Sequence, residues 1–223
     1  MAMECIGGHK KPVKFGGFIY TNKDSLSVGV VCQLASLKTS GSSAVEVFEE
    51  FKAHPTISRL LQGGEAREYS AHLVPQGGKK MMPKLFTDGM LVAGDSAGLV
   101  LATGTHIEGV HFAIASGVAA AETVKAAGTR ADYSSASLCK YETLLKESFV
   151  LKDLNRFKKA SDFLANERIH RTYPYLASEI LRKIFTSDGK PRPNALAVAR
   201  KIAMERVSVW NLLKDALAAR RSL

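Results

Sequence analysis

The chain has 223 residues, 46% of them hydrophobic and 23% charged, with 18 glycines and seven prolines. That composition excludes collagen-like, low-complexity and disordered chains and gives enough length for one large domain or two small ones. The three cysteines, Cys5, Cys32 and Cys139, form no C-x-x-C pair, which argues against a disulfide scaffold, a zinc finger or an iron–sulfur site held by this chain alone. No long apolar span occurs, and Met1–Lys14 lacks the apolar stretch of a signal peptide, so the sequence reads as cytoplasmic.

The net charge of +10 is lopsided. Met1–Gly128 holds 12 basic and 11 acidic residues, whereas Thr129–Leu223 holds 19 and 10. A half carrying +9 suits an acidic protein partner or an anionic membrane surface. Nucleic acid ranks last, because neither an RNA-binding signature nor a continuous basic run is present.

Along the chain, Phe15–Thr21 and Leu26–Gln33 are apolar or β-branched runs around Asn22-Lys23-Asp24, a hairpin pattern. Ser40–Ser43 ends one element and caps the next, and Val45–Lys52 has helical spacing that stops before Pro55. Arg67–Val74 alternates as a strand would, Gln76-Gly77-Gly78 is a turn, and Met90–Ala93 reads as a short buried strand. Gly109–Ala127, rich in small residues, predicts a tightly packed helix closed by Gly128. Ser134–Ser148, Lys152–Ala165 and Tyr175–Phe185 follow as amphipathic helices, then one helical stretch from about Asn194 to Arg221. Strands first and helices later give an α/β (α+β) class.

The segment that carries chemistry is Met90–Val124, headed by Leu91-Val92-Ala93-Gly94-Asp95-Ser96-Ala97-Gly98. Glycine lets a ligand approach the backbone, Asp95 at a strand end can accept hydrogen bonds from hydroxyls, and the next helix offers its positive end. The same residues would also serve as a plain turn and helix cap, and the pattern alone leaves both readings open. His106, Glu108 and His111 lack the spacing of a metal site. His72 and Tyr69 read as structural residues of a strand, and Cys139 as a buried small hydrophobe. No Gly-x-Ser-x-Gly elbow suggests hydrolase chemistry.

Longer runs narrow the choice. Gly16-Gly17-Phe18-Ile19-Tyr20-Thr21-Asn22-Lys23-Asp24-Ser25-Leu26-Ser27-Val28-Gly29 resembles a specific run of the FixC family, flavin-dependent electron-transfer flavoprotein–quinone oxidoreductases. Tyr69-Ser70-Ala71-His72, Val74-Pro75, Gly94–Gly98, Glu108-Gly109, Phe112–Gly117, Tyr173-Pro174 and Phe185-Thr186 resemble further family residues in the same order. The family's opening Gly-x-Gly-x-x-Gly turn, which seats the FAD diphosphate, has no counterpart here. The chain therefore resembles the C-terminal half of such a flavoprotein, as a fragment, a truncated gene or one chain of a pair.

The resemblance implies a para-hydroxybenzoate-hydroxylase-like FAD oxidoreductase fold that is incomplete. Residues 1–87 would belong to the β-rich, quinone-side substrate domain, 88–150 to the C-terminal part of the FAD domain, and 151–223 to a helical tail. By the same resemblance Gly94 and Asp95 contact the ribityl–phosphate part of FAD. Gly98, Thr103, Gly104, Glu108 and Gly109 correspond to the loop and helix start facing the flavin ring, and no catalytic acid or base is required. The implied partners are an electron-transfer flavoprotein, a quinone and, since nothing after Cys139 could ligate a cluster, a small ferredoxin-like protein. A geranylgeranyl-reductase-like flavoprotein and a non-catalytic binding module are the competing classes. FAD should bind this chain alone weakly or not at all, and an apolar face should lie open around Met90–Ala93. The basic C-terminal stretch with Trp210, Leu212 and Leu213 matches either a helix docked on its own domain or one resting peripherally on a membrane.

Overall fold

The computed structural model describes residues 2–6, 13–103, 107–189 and 191–222. Two compact units divide the chain, one of residues 1–70 with 166–212 and the other of residues 71–165 with 213–223.

The first unit opens on an antiparallel three-stranded sheet, β1 (Ala2–Ile6), β2 (Phe15–Thr21) and β3 (Leu26–Cys32), in that spatial order. The anticipated hairpin is β2–β3, with Thr21 opposite Leu26 and Phe15 opposite Cys32. Asn22 closes it, its amide donating to Ser25 O while its side-chain nitrogen donates to the Ser27 hydroxyl at 2.9 Å. Helices α1 (Leu34–Ser40), α2 (Ala44–Ala53) and α3 (Pro55–Leu60) follow. Ser43 caps α2 as the sequence suggests: its hydroxyl accepts from Glu46 N, and its own amide donates to the Glu46 carboxylate. Phe15, Ile19, Leu37, Val47, Phe51 and Ile57 form the core. Gly17 is a packing requirement, because a Cβ there would come within 2.4 Å of the Phe51 ring.

The second unit begins with residues 71–77 in an irregular run and a short 3-10 turn, Gly78–Met81. Arg67–Val74 is thus not a strand, and among the described residues it pairs with none. Tyr69 and Leu73 are 69% and 77% exposed, and His72 is exposed too. Alternation holds a strand only where a neighbour covers one face, and among the described residues no strand pairs with this run. Strands β4 (Phe86–Thr87) and β5 (Met90–Leu91) form a tight hairpin, with Gly89 at φ +71°. A second 3-10 turn, Gly94–Ala97, leads to the pair β6 (Leu101–Ala102) and β7 (Ile107–Glu108). The described strands form three separate antiparallel sheets.

The helices of this unit are α4 (Val110–Gly128), α5 (Ser135–Leu138), α6 (Lys140–Glu147), α7 (Phe149–Arg156) and α8 (Ala160–Leu164). Helix α4 runs through Gly128 rather than stopping before it, and the left-handed residue that ends the turn is Ala131, φ +49°. The expected single helix Ser134–Ser148 is interrupted at Cys139, whose side chain is exposed rather than buried and donates to Ala136 O. Helix α7 starts upstream of Lys152 because Ser148 caps it by accepting from Val150 N, which brings Val150, Leu151 and Leu154 into the core. That core joins them to Leu99, Leu101, Phe112, Ala119, Tyr141 and Leu145.

The chain continues through α9 (Glu167–His170), α10 (Thr172–Phe185), α11 (Ala195–Arg206) and α12 (Val209–Ser222). The anticipated helix from Asn194 to Arg221 breaks at Val207-Ser208. Val207 is extended (φ −132°, ψ 129°) and buried with Leu176 and Ile202, and the Ser208 hydroxyl accepts from Asn211 N. Burying a β-branched side chain and capping a new helix there outweigh the loss of continuity. Among the described residues no helix is long and apolar enough to cross a membrane.

Candidate functional site

Strand β5 runs out through Val92 and Ala93 into a reversal that only glycine makes without strain. Gly94 and Gly98 have φ of +59° and +66° and bracket the 3-10 turn. The turn closes on itself, Gly98 N donating to Asp95 O at 2.9 Å and Leu99 N to Gly94 O at 3.1 Å. Ala97, Leu99 and Val100 anchor it in the core, leaving Asp95 and Ser96 exposed on top.

The turn rests on the first residues of α4. A Cβ on Gly94 would lie 3.4 Å from the Ala113 methyl, and a Cβ on Gly109 would lie 3.4 Å from Asp95 Oδ1. Gly109 is the N-cap of α4 and supplies no side-chain cap, so nothing from that residue covers the helix's positive end. Two buried hydroxyls hold the arrangement from beneath. Ser116 Oγ accepts from Gly94 N at 3.0 Å and donates to Ala113 O at 2.9 Å, while the Tyr141 hydroxyl donates to Val92 O at 3.0 Å. Burial pushes the Tyr141 phenol above its usual pKa, and a hydrogen bond with Ser116 works against that shift.

Above the turn lies a cleft of about 570 Å³. Asp95, Ser96 and Gly109 make its polar rim, and Val100, Ile107 and Ile114 its apolar wall. A carboxylate acceptor, a hydroxyl and an open helix end beside an apolar wall suit a flat heteroaromatic carrying a hydroxylated chain. Gly109 adds no side chain of its own to the rim beside Asp95.

Of the residues singled out by sequence, Asp95 and Gly109 line this cleft. Gly94 shapes it from behind, and Gly98 packs against the Met81–Met82 backbone. Thr103, half-buried just after β6, and Glu108, at the end of β7, lie off the cleft wall. Gly104 lies outside the described residues, as does His106. Glu108 pairs with His111, Oε2 to Nε2 at 3.2 Å, and the His111 ring stacks on Phe149 at 5.6 Å between centroids. Among the described residues no three metal-ligating side chains cluster. Ser96, Ser116 and Tyr141 escaped the sequence reading. Ser96 was part of the motif, but the two buried hydroxyls carry no local signal, because their partners lie 22 and 49 residues away.

Residues 160–223 match the ETF-QO/FixC family C-terminal domain. Over 211 residues the chain is 42% identical to the probable electron transfer flavoprotein-quinone oxidoreductase YdiS of Escherichia coli K12, covering 93% of this chain and 48% of that one. Protein FixC of Azorhizobium caulinodans is 35% identical over 225 residues, covering 100% of this chain and 51% of that protein. The chain thus spans about half the length of the curated relatives it matches. A geranylgeranyl bacteriochlorophyll reductase-like protein of Thermoplasma acidophilum shares the fold, with TM-score 0.56 and 19% identity over 94% of this chain and 49% of that chain. The domain match over residues 160–223 and the 35–42% identity along 93–100% of this chain make it similar to the ETF-QO/FixC family over about half the length of such a protein.

Proposed function

We propose that the chain forms part of the FAD site of an electron-transfer flavoprotein–quinone oxidoreductase. The observation that carries the reading is the Gly94–Asp95 turn seated on the uncapped start of α4, beneath a cleft polar on one rim and apolar on its wall. Asp95 accepts hydrogen bonds from the ribityl hydroxyls, and Gly94 keeps the backbone close. Gly109, at the start of α4, borders the ring, beside the apolar wall of Val100, Ile107 and Ile114. Bound FAD supplies the redox chemistry, accepting electrons and passing them on. This chain's residues orient the group and keep water from its apolar side.

In this reading residues 1–87 stand on the quinone side, 88–150 complete the FAD domain, and 151–223 form the helical part that meets partners. The electron donor is an electron-transfer flavoprotein, and the acceptor is a quinone or a small ferredoxin-like protein. The basic residues of 129–223 draw either the acidic partner or an anionic membrane face, to which the protein binds peripherally from the cytoplasm. The test is bleaching of the flavin in the complete protein by reduced electron-transfer flavoprotein. Rapid bleaching supports the proposal. Indifference to that donor, together with reduction of an isoprenoid double bond, overturns it in favour of a reductase like the structural neighbour.

A further inference from the structure

Ser116 and Tyr141 are polar residues in an apolar core. Tyr141 is buried with Phe112, Ala119 and Leu145, and Ser116 is buried on α4 with Phe112 and Ala119. Alanine at 116 and phenylalanine at 141 would each remove one oxygen and leave the packing nearly intact. A buried hydroxyl costs free energy unless it is hydrogen-bonded, so the two oxygens are explained by what they bond. Both bond one short run of backbone. Val92 N donates across the hairpin to Leu85 O at 2.9 Å, but beyond that bond no strand among the described residues pairs with Val92–Gly94. The hydroxyls stand where a neighbouring strand would. Tyr141 donates to Val92 O at 3.0 Å, and Ser116 accepts from Gly94 N at 3.0 Å. Ser116 in turn donates to Ala113 O at 2.9 Å in the first turn of α4, and a hydrogen bond links it to Tyr141. The strand end, α4 and α6 are thus tied together one residue before Asp95.

The pair also decides what the turn offers a ligand. Gly94 N is taken by Ser116, Gly98 N by Asp95 O and Leu99 N by Gly94 O. With these N–H groups turned inward, the Asp95 carboxylate and the Ser96 hydroxyl are the polar side chains that the turn gives the cleft. A carboxylate there repels phosphate and accepts from a hydroxylated chain. We propose that Ser116 and Tyr141 are positioning residues for Asp95, holding its carboxylate at the cleft rim over Gly109 and keeping the Gly94 N–H from the ligand. They touch no ligand themselves and act on it only through Asp95. The role assigned to the pair rests on the flavin reading of the cleft.

The test is FAD titration of the complete protein, stripped of flavin, with Tyr141→Phe and Ser116→Ala each made with Asp95 intact and in an Asp95→Ala background. With Asp95 intact, each should raise the Kd for FAD about fivefold, as expected when one buried hydrogen bond to the turn is lost. In the Asp95→Ala background the same changes should add less than about twofold, because groups that act as one unit are not additive. Losses that multiply across the two backgrounds show a general effect on folding and overturn the inference. A second measurement needs no flavin. Amide exchange on this chain alone should quicken at Gly94 by about tenfold in Ser116→Ala, with protection of the β2–β3 amides unchanged. Exchange at Gly94 that ignores the variant also overturns the inference. A wild-type protein that takes no FAD overturns the flavin reading and the inference with it, whereas wild-type binding that both variants share overturns the inference alone.

Discussion

Ala131 and Asp132, in the turn that ends α4, pull on its stability in opposite directions. Ala131 sits at φ +49°, where a Cβ is strained. Ala131→Gly should therefore stabilise the chain by about 0.5–1 kcal/mol, seen as a higher denaturant midpoint. Asp132 accepts from Ser134 N and from the Ser137 hydroxyl, with the Ser137 bond the larger influence, and these bonds lower its pKa to about 2. A carboxyl whose pKa falls on folding stabilises the fold above its unfolded value, and that contribution disappears as pH drops through the folded one. Asp132→Ala should lower Tm at neutral pH, with the gap to wild type narrowing between about pH 4 and pH 2. The cysteines separate in the same way. Burial raises the Cys32 thiol to about 11 and raises Cys5 as well, whereas Cys139 is exposed. Ellman's reagent at mildly alkaline pH should label one thiol quickly, and Cys139→Ser should remove that phase. Equal fast labelling of all three would contradict the partial burial of Cys5 and Cys32.

At the scale of elements, the hairpin and α2 were legible because their signals are local. Asn22 closes the turn onto Ser25 and Ser27, three and five residues on, and Ser43 with Glu46 writes a capping box into four residues. Ser43→Ala should destabilise by about 1 kcal/mol in chemical denaturation. Gly17→Val should cost more than that, because the new side chain meets the Phe51 ring. The misread elements depend on distant partners. Arg67–Val74 has a strand's alternation but, among the described residues, no strand to pair with, and Val207 leaves helical geometry because Leu176 and Ile202 bury it. The candidate site divides along the same line. Gly94-Asp95 is visible as a motif, whereas Ser116 and Tyr141, which fix where that motif points, are joined to it only by folding.

For the whole molecule, the sequence's basic half is not one structural body. Residues 129–165 fall in one compact unit and 166–212 in the other, so +9 along the chain does not translate directly into one charged face. The exposed side chains still favour docking near the end of the chain: Trp210 and Leu213 are 76% and 55% exposed, while Leu212 packs against the core of α10 and α11. Co-sedimentation with anionic liposomes should fall as salt rises. Trp210→Ala and an Arg220→Glu/Arg221→Glu variant should each weaken it. Binding that needs the arginines but not the indole would identify an acidic protein as the partner instead.

The central claim is that Gly94 and Asp95 hold the flavin within a site this chain only partly builds. Titrating FAD by its fluorescence tests it most directly, on this chain alone and on its complex with the unmatched half of a relative. A few hydrogen bonds worth about 0.5–1.5 kcal/mol each do not anchor a dinucleotide, so the chain alone should show weak or no binding. The complex should bind stoichiometrically and lose at least tenfold in affinity with Asp95→Ala or Gly94→Val. Tight, stoichiometric binding by the isolated chain, or a complex that ignores both variants, would contradict the account.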